Sequence, residues 1–287
     1  MTTEIALLNE YSANKINEMM GFVSTPKPQI PVFKVNGSDD DDGLKAPKGT
    51  FVYDDGDRVL YATEAHIRVF FMGYQYRYYA KEKDVKSDAS IIAPNFDAEF
   101  RSISGKLACG KMSKKKFEAL GAAATKEQSD LQKDVKCKLM IFGLVSGTFT
   151  DLDSKKQVTL SDALFVWTVS QAGFMGMSNT ITGIGKERRA IPSTPIKLTL
   201  KKEKNGQVTY YIPIPEVTSK TVKLVESNLE DMEKIKKYIK DTNDHVNSKY
   251  NEAHKQSAMN DAFKEVAREE RKAAEVIDMP NDPLDMD

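Results

Sequence analysis

Residues 67–79 read Ile-Arg-Val-Phe-Phe-Met-Gly-Tyr-Gln-Tyr-Arg-Tyr-Tyr. Side chains of a β-strand alternate between its two faces. One face would carry Arg68, Phe70, Met72, Tyr74, Tyr76 and Tyr78, and the other Ile67, Val69, Phe71, Gly73, Gln75, Arg77 and Tyr79. One face must line a core, yet tyrosine and arginine dominate both faces in the second half of the run. Flat rings stack on unpaired bases, at about 1–3 kcal/mol per base, and guanidinium groups hold phosphate. The segment therefore suits single-stranded nucleic acid, with Tyr74, Tyr76 and Tyr78 as stacking candidates and Arg68 and Arg77 as phosphate candidates. The competing reading is structural: tyrosine favours strands, and these rings can pack within a sheet while their hydroxyls stay wet.

Positive charge gathers in two further runs. Residues 106–138 hold nine lysines against four acids, including Lys114, Lys115 and Lys116. Residues 186–204 hold seven basic side chains against two acids, among them Arg188, Arg189, Lys201 and Lys202. Either run alone is an ordinary solvated face. Beside an aromatic-basic strand, the two together can line a groove that attracts a polyanion, and Lys114, Lys115, Lys116, Arg188 and Arg189 join the phosphate candidates. The chain as a whole is neutral, with 42 basic and 42 acidic residues. Residues 275–287, however, carry five carboxylates and no basic side chain, so a basic body is joined to an acidic tail. Such a tail can compete for the groove, bind a basic pocket on a partner, or serve solubility alone. Asp278, Asp282, Asp285 and Asp287 are its partner-binding candidates.

Catalytic patterns are missing. The sequence has no G-x-S-x-G and no H-E-x-x-H. Gly183-Ile-Gly-Lys186 superficially resembles a phosphate loop, but the G-x-x-x-x-G-K-[ST] spacing is absent and Glu187 replaces the hydroxyl residue. Cys109 and Cys137 form no CxxC and the three histidines are scattered, so neither a zinc site nor any other metal or cofactor is expected. The reading is a non-enzymatic binding protein with no cofactor. The alternatives are a structural or assembly protein of a virion and a metal-dependent nuclease built from scattered carboxylates. For Asp54, Asp55 and Asp57 a turn is the simpler explanation.

Composition removes other classes. Gly is 16 of 287, Cys is 2, and no apolar run approaches the ~18 residues of a membrane-spanning helix. Met1 to Leu8 carry Glu4 and no basic residue ahead of an apolar core, so the start does not read as a signal peptide. The cytoplasm is the expected compartment, the host cytoplasm if the chain is phage-encoded.

The elements that must position these residues are mostly strands. Residues 1–27 form an N-terminal helical segment, with a helix over 4–20 broken at Thr25-Pro-Lys-Pro28. Residues 28–218 form a β-rich domain. Strands are expected at 30–35, 49–53, 58–63, 67–80 (bulged near Gly73), 100–103, 135–149, 163–169, 196–200 and 208–212. Asp-Gly and Asn-Gly turns close two hairpins. A helical insertion is expected at about 112–133, and a helix opening near Ala172 packs across one barrel end. Many strands joined by short turns suggest a closed or half-closed barrel. Residues 219–274 are helical, with Val222, Val225, Leu229, Met232, Ile235 and Ile239 as one apolar stripe. Residues 275–287 read as a disordered acidic tail. The class is mainly β with helical insertions (α+β).

The arrangement resembles phage-type single-stranded DNA-binding proteins with an OB fold. Three features carry the likeness: the helical insert followed by Lys133–Gly147, the later strand Phe165–Phe174 with the strands 196–200 and 208–212 after it, and the acidic C-terminus. The resemblance implies an OB-like five-stranded barrel with elaborations. It also implies cooperative, sequence-tolerant coating of single-stranded DNA in replication, recombination or repair. By the same likeness the tail would recruit replication or recombination proteins, and a homo-oligomer is a possible state. Such tails often finish on a bulky aromatic residue, whereas this one ends Leu284-Asp-Met-Asp287.

Overall fold

In the computed structural model the described residues are 30–37, 46–78, 88–95, 135–169 and 172–277, with side chains of the last helix described through Ala253 and at Lys255. The helix expected over 4–20, the strand over 100–103 and the insertion at 112–133 lie outside them. So do the acids from Asp278 onward.

The described residues form nine strands in chain order: β1 (Val32–Asn36), β2 (Thr50–Asp54), β3 (Val59–Ala62), β4 (Ala65–Tyr78), β5 (Asp88–Ala89), β6 (Val135–Asp151), β7 (Gln157–Val169), β8 (Ile196–Asn205) and β9 (Val208–Val217). Helix α1 (Ala172–Lys186) separates β7 from β8, and helix α2 (Glu226–Ile277) follows β9. Five strands close a ring: β1 pairs with β2, β2 with β3, β3 with β6, β6 with β7, and β7 with β1. They succeed one another around the ring in chain order. An odd number of antiparallel neighbours cannot close without one parallel pair, and that pair is β1 with β7, where Phe33 stands beside Trp167. The fold is mainly β, of the α+β class, with an OB-like five-stranded barrel.

Alternation accounts for the barrel interior. Phe33, Phe51, Phe149, Phe165, Trp167, Leu139, Ile141 and Val145 point inward and are fully or almost fully buried. The Phe33 ring stacks on Phe51 at 5.4 Å and meets Trp167 edge-on at 5.3 Å. Helix α1 plugs one end, placing Met177, Ile181 and Ile184 in the same core and Phe174 against Tyr74. Strand β6 is buried on both sides. Its outward Met140 and Phe142 pack with Ile235, Tyr238 and Ile239 of α2. The Asn243 side chain extends this docking. It donates to Ile92 O and accepts from Ile92 N, at 2.9 and 2.7 Å.

The two turn signals behave as their chemistry requires. Asp54 and Asp55 carboxylates accept the amides of Gly56, Asp57 and Arg58 across the β2–β3 turn. Gly206 adopts φ +60 in the β8–β9 turn, a conformation glycine takes without strain.

Helix α2 departs from the expected stripe. Val222 and Val225 precede it, and Leu229 is exposed. Ile235 of the expected stripe is buried and Ile239 partly buried, and Asn228, Val246 and the partly buried Tyr238 complete the packed side. Residues 275–277, read from sequence as the start of the tail, remain in the helix.

Inside the barrel wall, Tyr53 donates a hydrogen bond to Leu164 O at 3.3 Å. Burial, with the Asp55 carboxylate adding in the same direction, pushes its pKa up from 10.0 to about 12. The folded state therefore holds this proton more tightly than the unfolded chain. The associated stability is fully present below pH 10 and is lost as pH rises towards about 12. In ultraviolet absorbance titrations Tyr53→Phe is expected to remove a tyrosine ionisation near pH 12, and in unfolding experiments to flatten the fall in stability over that window. An unchanged alkaline titration would contradict the assignment.

Candidate nucleic-acid interface

The strand that opened the sequence argument does not present one continuous face. Strands β4 and β6 pair in register until a β-bulge between Val69 and Phe71, where Phe70 is the extra residue. A bulge reverses which side later residues face. Before it, Ile67 and Val69 point into the barrel and Arg68 points out. After it, Tyr74 and Tyr76 point in. The bulge expected near Gly73 thus lies three residues earlier, and the shift decides the fate of the tyrosines. Tyr74 is 6% exposed and Tyr76 7%, both within the main core. Rings packed on the core have no free face for a base, so these two are corrected from stacking candidates to core residues.

Arg68 is corrected in the same way. It is 4% exposed, and its Nη2 donates to Asp162 Oδ2 at 2.7 Å. Longer contacts of 3.4 Å reach Pro192 O and Asn228 Oδ1. Its guanidinium is consumed in joining the barrel to the start of α2, with no donor left facing solvent phosphate. Arg77 and Tyr78 are half-buried at the end of β4, where Arg77 Nε donates to Gln75 Oε1 at 2.8 Å. Arg188 is exposed at the far end of α1, and Arg189 Nη2 donates to Thr218 O at 2.7 Å. Lys114, Lys115, Lys116, Asp278, Asp282, Asp285 and Asp287 lie outside the described residues.

A different set of residues converges on one open groove. The β8–β9 hairpin leaves the barrel with Leu198 and Leu200 packed on the core. The same strand face continues as Lys202 and Lys204, opposite Tyr211 and Thr209. The hairpin bends back over the barrel because two glycines admit it. Pro213 lies where a Cβ on Gly173 would stand 2.8 Å away, and the Tyr211 ring lies 2.3 Å from the Cβ position of Gly49, whose φ is +77. Between the hairpin and the β1–β7 wall this leaves a groove of about 670 Å³, bordered by Lys34, Thr168, Asn205, Val208, Tyr210 and Tyr211. Tyr210 and Tyr211 are half-buried, and Lys202 and Lys204 are exposed.

The cations around this hairpin differ in availability. Lys201 is held by Glu203 at 2.6 Å, a contact that raises its pKa. Lys202 and Lys204 form no ion pair with a described residue. The groove thus offers aromatic side chains and one neutral amide, with exposed ammonium groups on the adjoining hairpin, an arrangement suited to holding a chain of planar bases and anionic phosphates. Among the described residues no group of three or more His, Cys, Asp or Glu side chains is placed to hold a metal ion. No described helix is long and apolar enough to cross a membrane.

The sequence contained a signal for this site. Tyr210-Tyr211 follows an Asn-Gly turn, and hairpin register sets Tyr211 opposite Lys202 and Tyr210 opposite Glu203, so one aromatic-basic pair forms across it. Arg188 and Arg189, from the same basic run, are not brought to it. Ala172 at one end of α1 borders the groove, and the arginines follow the other end, roughly 20 Å of helix away. Comparison with known proteins finds no matching family model, no matching curated protein and no matching solved structure.

Proposed function

We propose that the protein is a non-enzymatic single-stranded DNA-binding protein, coating unpaired DNA in replication, recombination or repair, and that strand binding occurs in the groove between the β8–β9 hairpin and the β1–β7 wall. In this reading it acts in the cytoplasm, as the phage-type proteins it resembles do. The observation that supports the reading best is the groove itself. Two half-buried tyrosines line an open channel on an OB-like barrel, and lysines without an ion pair to a described residue stand on the adjoining hairpin. Ring faces take any base, which gives tolerance of sequence, and ammonium groups track the backbone. The buried Tyr74 and Tyr76 play no part in it.

Titration of the full chain with a fluorescent oligo-dT tests the proposal. Counterion release from a single strand lowers log affinity by about 0.7 per phosphate neutralised. With Lys202 and Lys204 engaged, the slope against log salt should be about −1.4, so binding weakens roughly sevenfold between 50 and 200 mM salt. A matched duplex should bind more weakly. No binding at low salt, or tighter binding to duplex, would overturn the reading.

A further inference from the structure

Among the described residues, the largest run of exposed apolar side chains lies away from the groove. Val222, Leu224, Val225 and Leu229 are 37% to 56% exposed, on the segment that leads into α2 and on its first turn. The backbone there is anchored. Val222 N donates to Ser193 O at 2.8 Å, Thr218 N donates to Pro195 O at 3.0 Å, and Asn228 Oδ1 accepts from Val225 N at 3.2 Å. A fixed segment that still turns four large aliphatic side chains to solvent is an unusual use of apolar surface. Its charge is one-sided. Residues 218–225 contain Lys220 and Lys223 and no acid, and both lysines are exposed without an ion pair to a described residue. Arg189 ties the neighbouring turn to Thr218, and the adjoining Arg188 is exposed. The flanking acids are Glu216 at the end of β9 and Glu226 and Glu230 at the start of α2.

One stretch of the chain has the complementary composition. Residues 278–287 read Asp-Met-Pro-Asn-Asp-Pro-Leu-Asp-Met-Asp, four carboxylates interleaved with Met279, Leu284 and Met286 and no base. This stretch follows the far end of α2. At roughly 1.5 Å per residue, about 70 Å of helix separates Leu229 from Ile277. Residues 278–287 span at most about 36 Å even when fully extended. They therefore fall far short of the patch on their own chain, and a second copy faces no such limit.

We infer that the Val222–Leu229 patch of one copy docks the acidic 278–287 segment of another, with Leu284 and the methionines on the aliphatic side chains and the carboxylates on Lys220 and Lys223. The long helix acts as the arm that delivers the segment to a neighbour. This surface is separate from the groove, so the inference stands or falls independently of strand binding.

The test uses a fluorescein-labelled peptide of residues 275–287, titrated by anisotropy against the full chain, together with sedimentation velocity. The wild-type chain should bind the peptide, more weakly as salt rises, and should self-associate as concentration increases. The double variant Val225→Glu, Leu229→Glu alters only exposed positions and should bind the peptide at least tenfold more weakly and sediment as a smaller species. Lys220→Glu with Lys223→Glu, which leaves the aliphatic side chains intact, should do the same. Tyr210→Ala should leave peptide binding unchanged. Equal peptide binding by wild type and both patch variants would overturn the inference. So would loss of binding on Tyr210→Ala, which would assign the segment to the groove, or no peptide binding at all. Self-association that persists in the patch variants would mean that copies meet elsewhere.

Discussion

Gly143→Ala is expected to destabilise the protein by about 3 kcal/mol or more, the upper end of the range for overpacked positions. Gly143 on β6 faces Val69, the last residue before the bulge in β4. A Cβ there would stand 1.9 Å from Arg68 O, 2.9 Å from Arg68 C and 3.1 Å from Val69 Cα. These obstacles are backbone atoms of a strand paired on both sides of the contact, so no side-chain rotation relieves them. Relief requires separating β4 from β6, the longest strand pairing among the described residues, or removing the bulge. Removing it would turn Tyr74 and Tyr76 outward, since strand faces alternate. Urea unfolding measures the loss directly. Gly183→Ala is the control. Nothing lies within 4 Å of its Cβ position on α1, and the change should stabilise by about 0.4–1 kcal/mol. A Gly143→Ala variant as stable as wild type would mean that the bulge is not where the side-chain pattern of β4 places it.

The same position explains how far the sequence could be read. Alternation and turn residues were sufficient for the barrel. Asp-Gly and Asn-Gly marked both hairpins, and the inward Phe33, Phe165 and Trp167 lie on the strands expected to carry them. A run of alternating residues does not reveal a bulge, because the extra residue is defined by its partner strand. Phe70 and Phe71 are equally apolar, and only the register against Gly143 and Phe142 shows that both turn away from the barrel interior. Arg68 was misread for a related reason. Its partner Asp162 is 94 positions away, in a left-handed conformation within β7 that no local pattern announces. Helix α2 shows the opposite limit. Its start was drawn seven residues early, at 219, because Val222 and Val225 share the helical spacing, yet Asn228 folds back to accept from Val225 N and the helix begins at Glu226. The groove depends on Gly49 and Gly173 admitting Tyr211 and Pro213, contacts between segments distant in the chain.

Two sets of tyrosines now compete for one role, and substitution separates them. Tyr210→Ala is expected to weaken oligo-dT binding by about 1–3 kcal/mol, roughly five- to 150-fold, the usual worth of one stacked base. Its half-exposed position at the hairpin predicts little loss of stability. Lys202→Glu with Lys204→Glu should remove about 1.4 from the magnitude of the salt slope, as two phosphate contacts disappear. Tyr76→Ala should behave in the opposite way. Deleting a ring from the core costs about 3–5 kcal/mol of folding stability, while the remaining folded molecules keep their affinity because the groove is untouched. Binding must therefore be compared at matched folded fraction, measured by circular dichroism in the same buffer. If Tyr76→Ala abolished binding in fully folded protein while Tyr210→Ala left it intact, the groove would be the wrong surface. Strand binding would then require β4 to open, with the inner face of the barrel as its site. Buried rings cannot stack on bases without that opening, and its cost would appear as oligo-dT affinity rising in variants that loosen β4 against β6.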